Sequence, residues 1–288
     1  MQDDQGAGAL YVVATPIGNR ADMTLRGLEV LRHVDKIAAE DTRVSRPLME
    51  HYGIVAPLIA LHQHNERQKS QLLIDELRAG RHIALISDAG TPAISDPGAL
   101  LVEAVGQAGL RVVPVPGVSA VTTLLSVAGF AAATFHFHGF LPARRPERVR
   151  RLEALAELPG VQVFYEAPHR IQAALEDMVT VLGGTRRMVL GRELTKRFET
   201  LHRGTLQATL AWLEADPDQR RGEFVLALDE VALVPAADED TDARWLPVLL
   251  AHLSLKDAVR IMVEMTGKGR GFWYERALAL KDGAEVAR

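Results

Sequence analysis

Along the first 130 residues, short aliphatic runs alternate with segments whose apolar positions recur every three or four residues. Residues 10–14, 34–39, 83–86 and 112–115 read as strands, and their aliphatic content is that of a parallel sheet covered on both faces. Between them, Leu25, Leu28 and Leu31 share one stripe of a helix over residues 24–32, and Leu72, Leu73 and Leu77 lie on a helix over 68–79 that Gly80 closes. A helix over 98–108 stops at Gly109, and another follows Pro116-Gly117-Val118-Ser119-Ala120. Strand and helix in alternation predict a βα-repeating domain ending near Phe130.

A second block runs from residue 135 to about 233, with strands over 161–165, 188–190 and 224–228 and helices over 148–157, 171–182 and 206–215. His136 and His138 alternate at period two, which puts both on one face of a strand, at the surface or an interface. Pro235 and the carboxylates Asp238, Glu239, Asp240 and Asp242 read as a solvated acidic linker. Three short helices follow over 246–253, 256–265 and 272–280, with Ser254 placed to cap the second. The expected organisation is an N-terminal α/β domain (1–130), a second α/β domain (131–234), the linker (235–244) and a small helical domain (245–288).

Composition narrows the chemistry. With Cys 0, disulfides, zinc-thiolate sites and cysteine nucleophiles are excluded. No apolar run is long enough to span a membrane, and Met1-Gln2-Asp3-Asp4-Gln5 lacks the basic start of a secretion signal, so a cytoplasmic location is expected. A formal net charge of -4 excludes sheathing of nucleic acid by the whole surface, so any nucleic-acid contact must be local. The local candidate is Arg144-Arg145-Pro146-Glu147-Arg148-Val149-Arg150-Arg151, with five arginines against one carboxylate. Lys268 and Arg270, beside Phe272, Trp273 and Tyr274, offer cations next to aromatics that either stack on bases or pack a small core, the latter reading preferred for Trp273. His62 and His64 alternate in a polar loop, but without a third convergent ligand no metal site is expected.

The strongest single signal is the strand at 83–86 running into Ser87-Asp88-Ala89-Gly90-Thr91-Pro92-Ala93-Ile94-Ser95-Asp96-Pro97-Gly98. Loops at the carboxyl ends of parallel strands are where open α/β sheets bind ligands. Glycine permits close approach, the prolines fix φ, and Asp88 and Asp96 supply acceptors for hydroxyl or amino groups. Together with Thr15-Pro16-Ile17-Gly18-Asn19, Ala39-Glu40-Asp41-Thr42-Arg43, the run from His62 to Glu66, Pro116-Gly117, Gly139-Phe140-Leu141-Pro142, Tyr165-Glu166 with His169-Arg170, and Arg192-Glu193-Leu194-Thr195-Lys196, this loop resembles the ribosomal RNA small-subunit methyltransferase I family of the tetrapyrrole methylase superfamily. The resemblance covers nearly the whole chain, and histidine at both 136 and 138 is a departure from it.

The resemblance implies two α/β domains of tetrapyrrole-methylase type with a cofactor cleft between them and a small C-terminal helical appendage. It implies S-adenosylmethionine-dependent 2'-O-methylation of a cytidine ribose in the decoding region of 16S ribosomal RNA, on an assembled small subunit, by a homodimer. Carried onto this chain, the donor would contact Ile17, Asp88, Thr91, Ser119, Ala120, Phe164 and Tyr165, with a contribution from around Glu193. A ribose hydroxyl is a weak acid and needs activation. Charged clusters just past the ends of expected strands make Asp41 and Glu193 the first candidates for the acceptor side, and Arg43, Arg170 and Lys196 ligands for phosphate or ribose; each cluster could equally be a salt-bridge set at a domain interface. Arg144, Arg145, Arg148, Lys268 and Arg270 complete the candidate RNA contacts. Two other readings stay open: a tetrapyrrole or diphthamide-precursor methyltransferase, and a non-catalytic RNA-binding assembly factor. A nucleotide phosphotransferase is disfavoured by the absence of a Gly-Lys-Ser/Thr phosphate loop.

Overall fold

The structure, a computed structural model, describes residues 6–131, 133–230 and 245–285, so the expected linker lies outside the described residues. The chain divides into two compact units, Met1–Val231 and Ala232–Arg288.

The first unit holds two five-stranded sheets. In the first sheet, β1 (Ala9–Val13), β2 (Lys36–Ala39), β3 (Leu58–Ala60), β4 (Ile83–Ile86) and β5 (Arg111–Val115) are all parallel, in the order β3-β2-β4-β1-β5. Its strands are apolar because helices cover both faces. α3 (Glu66–Arg78) and α4 (Ala99–Gln107) pack Leu73, Leu77, Leu101 and Val105 on Leu10, Ile83 and Leu85. α1 (Leu25–His33) and α2 (Thr42–His51) pack Leu31 and Met49 against Ile37, Ala84 and Ile86 on the other side. The chain therefore leaves β1 toward one face and its neighbour β4 toward the opposite face, which opens a crevice at their carboxyl ends.

The second sheet has β6 (Phe135–Phe140), β7 (Val161–Glu166), β8 (Arg187–Arg192), β9 (Thr200–Thr205) and β10 (Phe224–Leu228) in the order β6-β7-β10-β8-β9. Only the β6–β7 pair is parallel. One face is buried under α6 (Arg145–Leu155), α7 (Ile171–Leu182) and α8 (Leu206–Ala215). The other is covered by α5 (Ala120–Ala128), which follows β5 of the first sheet and sets Val121, Leu124 and Ala128 on Val163, Val189 and Val225 of the second.

Three elements depart from the sequence expectation. The segment forming α2 has only Val44, Leu48 and Met49 as an apolar stripe, interrupted by Pro47; β3 has three residues, and β9 is a polar edge strand. The described residues of the second unit form three helices, α9 (Trp245–His252), α10 (Leu255–Thr266) and α11 (Arg270–Glu285), around Leu246, Val259, Met262 and Trp273. Ser254 caps α10 by accepting from Asp257 N at 3.2 Å, and the Trp273 indole donates to Thr266 Oγ1 at 2.8 Å, so Trp273 is a core residue as expected. Among the described residues, no helix is long and apolar enough to cross a membrane.

Candidate active site

The crevice at the β1–β4 junction is closed from the opposite side by the second sheet, leaving a cleft of about 320 Å³. Ile17 follows β1, Gly90, Thr91 and Ile94 to Asp96 follow β4, and Ser119 and Ala120 follow β5 at the start of α5. The second sheet supplies Phe140, Tyr165, Glu166, Leu194, Glu223 and Val225. Thr15 and Gly90 exchange both backbone hydrogen bonds, Thr15 N to Gly90 O at 2.9 Å and Gly90 N to Thr15 O at 3.0 Å, which ties the first two loops together. The Thr91 hydroxyl donates to Val118 O at 3.1 Å and ties in the third.

Of the expected donor contacts, Ile17, Thr91, Ser119, Ala120 and Tyr165 line the cleft. Asp88 stands just behind it, its Oδ1 accepting from Asp41 N at 3.1 Å. Phe164 is the exception: consecutive strand residues point to opposite faces, so Tyr165 reaches the cleft while Phe164 is buried under α6 to α8, stacked on His138 at 5.0 Å. Burial, and secondarily the Asp96 charge, push the Tyr165 phenol above its ordinary range, against a hydrogen bond with Ser119.

Neither candidate for the acceptor side lines the cleft, and both carboxylates are committed elsewhere. Asp41 caps α2 by accepting from Arg43 N at 2.8 Å and holds the Arg43 guanidinium at 2.6 Å; the side-chain hydrogen bond with Arg43, then that from its backbone N–H, lower its pKa to about 2. Glu193 accepts from Lys196 Nζ at 2.8 Å and from Glu223 N at 2.9 Å. Burial pushes Glu193 up, but the Lys196 hydrogen bond and the Glu223 amide pull it below the ordinary carboxylate range. A group held so firmly anionic is a weak proton acceptor near neutral pH.

The cations sort by what already holds them. Arg148 is 5% exposed and paired with Asp177 at 2.8 Å, so it belongs to the core under α6 and not to a surface patch. Arg170 is held by Glu166 at 2.6 Å and lies 5.9 Å from the Phe140 ring centroid, while Lys196 bridges Glu193 and Glu223 at 2.8 and 2.9 Å. Arg43 has an 89% exposed side chain but is held by Asp41. Arg145 reaches Asp177 at 2.9 Å from an exposed position, and Arg144, with 83% of its side chain exposed, lies 3.8 Å from Glu147. Arg150 and Arg151 are exposed farther along α6. In the second unit, Lys268 sits 5.6 Å from the Phe272 ring centroid and 5.7 Å from that of Trp273, and Arg270 opens α11. His136 and His138 do share one face of β6, their rings stacked at 6.3 Å, and His138 meets Gln162 at 2.6 Å.

From the sequence Asp96 was expected only as an acceptor for ligand hydroxyl or amino groups, and Glu40 and Glu66 were given no role of their own. Asp96 lines the cleft, and burial, with the Asp88 charge, raises its pKa to about 6 in spite of the Ser87 hydroxyl. Glu40, at the end of β2, is likewise raised by burial and by the charges of Asp96 and Asp88. Glu66 is buried, and its Oε1 accepts from Gly98 N and Leu101 N, each at 3.0 Å. The available signal for Glu66 was a carboxylate heading an amphipathic helix; its partners lie over 30 residues away, beyond the reach of a local pattern.

Two α/β sheets with this cleft at a topological switch point are the architecture of the Tetrapyrrole (Corrin/Porphyrin) Methylases, a family that matches residues 9–209. Solved structures of the same fold include diphthine synthase (TM-score 0.61, 15% identity, 77% of this chain and 90% of that one) and a cobalt precorrin-4 methyltransferase (TM-score 0.59, 17% identity, 79% and 97%). Uroporphyrin-III C-methyl transferase from Thermus thermophilus, complexed with S-adenyl homocysteine, also shares it (TM-score 0.54, 18% identity, 76% and 97%). The chain belongs to the ribosomal RNA small subunit methyltransferase I family: it is 48% identical to the member from Escherichia coli O157:H7 over 96% of both chains, and 48% identical to that from Pseudomonas aeruginosa over 94% of this chain and 97% of that one. Residues 235–281 match the family's C-terminal HTH domain.

Proposed function

We propose that the protein transfers a methyl group from S-adenosylmethionine to the 2'-oxygen of a cytidine ribose in the decoding region of 16S ribosomal RNA, with the assembled small subunit as substrate. The observation that carries this reading is full-length similarity to enzymes named for small-subunit RNA methylation, combined with a cleft whose lining suits the donor. A volume of about 320 Å³ falls in the range of small-molecule sites. Gly90, at φ 78°, leaves its stretch of backbone uncovered, and Ser119 makes no side-chain cap to its own helix. Thr91, Ser119 and Ala120 would hold the polar end of the donor, with Gly90 letting it approach the backbone, and Ile17, Leu194 and Val225 would cover its apolar surface. When bound, S-adenosylmethionine supplies an electrophilic methyl group for in-line displacement. The walls of the cleft then orient the acceptor and exclude water, and positioning of this kind contributes up to about 7 to 11 kcal/mol of barrier lowering.

The RNA contact in this reading is the exposed start of α6. Phe140 lines the cleft, and Arg144 follows four residues later with Arg145, Arg150 and Arg151 beyond it. Replacing Arg144, Arg150 and Arg151 together by Ala is expected to flatten the dependence of log K on log salt by about two units, since each lost phosphate contact removes somewhat less than one. An unchanged slope in filter binding to small subunits would remove this helix from the interface.

The reaction itself is tested with labelled S-adenosylmethionine and small subunits lacking the modification, followed by nucleoside mass spectrometry. A 2'-O-methylated cytidine derivative is the expected product. Donor binding without transfer to subunits or to free ribosomal RNA would overturn the reading.

A further inference from the structure

Three carboxylate side chains line the cleft, and their surroundings separate them. Glu166 is buried and spent on Arg170 at 2.6 Å and on Ala167 N at 2.8 Å. Glu223 is spent on Lys196 at 2.9 Å. Asp96 makes no ion pair among the described residues. The titratable groups that face it are Asp88 beyond β4, Glu40 at the end of β2 and Tyr165 on β7, with the Ser87 hydroxyl alongside, and none of these is a cation.

The backbone around Asp96 is built to hold it in place. Ala93 and Ser95 both adopt φ 66°, a left-handed conformation that side-chain-bearing residues rarely take. Pro97 fixes its own φ, and position 98 suits glycine on two counts, a φ of 125° and a Cβ position that would lie 2.7 Å from Leu85 Cδ2. Glu66 clamps the far end of the loop through Gly98 N and Leu101 N. Such strain persists where the surroundings over-determine a functional residue.

We infer that Asp96 is the general base that accepts the proton of the acceptor hydroxyl during methyl transfer. This rests on the reaction proposed above. The hydroxyl O–H bond breaks and its proton passes to an Asp96 carboxylate oxygen; the freed oxygen pair forms the O–CH3 bond, and the S–CH3 pair returns to sulfur. A sulfonium cation and a carboxylate anion thus become a neutral thioether and a neutral carboxylic acid, so charge balances, and the acid then returns its proton to water. A carboxylate with a pKa of about 6 is ionised at neutral pH yet is a stronger base than an ordinary aspartate.

The test compares wild type with Asp96→Asn and Asp96→Glu in single-turnover transfer to small subunits lacking the modification, across about pH 5 to 8. Wild-type rates are expected to fall below about pH 6 as the base is protonated, Asp96→Asn to lose about 10² to 10⁴ in rate together with that acid limb, and Asp96→Glu to recover part of the rate. Donor affinity of the Asn variant by calorimetry should stay within about threefold of wild type. A second readout needs no activity. A carboxyl whose pKa is raised on folding binds more protons folded than unfolded, so its contribution to stability falls as pH rises from about 4 to about 6. The Asn variant should therefore melt above wild type at about pH 8 and converge with it at about pH 4. Wild-type turnover by Asp96→Asn, an acid limb that survives the substitution, or loss of donor binding, which would make Asp96 a donor ligand, would each overturn the assignment. If wild type binds donor but methylates nothing, the proposed reaction itself fails, a result distinguishable from an active wild type with an equally active Asn variant.

Discussion

Glu66→Ala is expected to destabilise the first unit by about 3 to 5 kcal/mol, because it strips the only side-chain acceptor from two buried amides at the start of α4, each bond to a charged acceptor being worth about 1.5 to 3 kcal/mol. The dependence arises one residue before the helix. Gly98 is the N-cap of α4, and a glycine has no side chain to cap with; its φ of 125° and the closeness of Leu85 keep a larger residue out. The first turn of α4 carries no acidic residue of its own, so a carboxylate from α3, only 3% exposed, supplies both the acceptor and the negative charge that favours a helix N-terminus. In thermal denaturation near neutral pH the loss should appear as a drop in melting temperature of about 10 °C for a unit of this size, and Glu66→Gln, which keeps an acceptor of the same shape, should restore roughly half. An alanine variant melting within about 2 °C of wild type would show that water or backbone rearrangement replaces the cap.

Arg148→Ala should cost a similar amount, about 3 to 5 kcal/mol, for a different reason: it leaves a buried carboxylate without its main counter-charge. Asp177 is 2% exposed and would keep only the exposed Arg145 at 2.9 Å, while Pro142 O and Ala143 O lose the guanidinium that donates to them at 3.4 and 3.2 Å. The double variant Arg148→Met with Asp177→Leu, which removes both charges and keeps the volume, should regain most of the loss, since a buried pair replaced by apolar side chains is often neutral in stability. The measurement is urea denaturation of all three proteins alongside salt-dependent RNA binding. Arg148→Met with Asp177→Leu should leave the salt slope at its wild-type value; a flatter slope would return Arg148 to the RNA surface.

Arg148 also shows how much of the site was legible in the sequence. Its neighbours Leu152 and Leu155 lie four and seven positions on, so the helical period already placed it on the buried stripe of α6; the density of charge around it masked that signal. Strands β1, β4, β5, β7 and β10 were legible because each is a run of apolar residues, whereas β9 and α2 draw their stability from neighbours that no local pattern contains. The loop that lines the cleft after β4 was legible from turn chemistry, since Gly90 and Thr91 come shortly after an apolar strand. Of the expected neighbours Phe164 and Tyr165, only Tyr165 reaches the cleft: strand parity decides which of two adjacent aromatics faces it, and the register of β7 with β10, Tyr165 opposite Val225, settles it. Asp41 and Glu193 were indistinguishable in sequence from carboxylates free to react, because their partners Arg43, Lys196 and the Glu223 amide act through geometry. Asp96 stood in the quoted loop throughout, and what sets it apart from Asp88 is the side of the loop on which it emerges.

The passage of α5 from the first sheet to the second has a consequence for the protein's own synthesis. A nascent chain that has emerged as far as residue 130 can complete the five parallel strands, yet Val121, Leu124 and Ala128 still lack the strands that cover them. Val163 and Val189 come one helix or more later, and Val225 comes nearly 100 residues later, at the end of the unit. An oily helix is thus left waiting while its buried partners on the second sheet are still untranslated, and such exposed surface is what recruits chaperones and drives aggregation. The arrangement that joins the two walls of the cleft also couples their maturation: a fragment cut near residue 130 would hold the residues of all five parallel strands yet leave the apolar face of α5 without its cover.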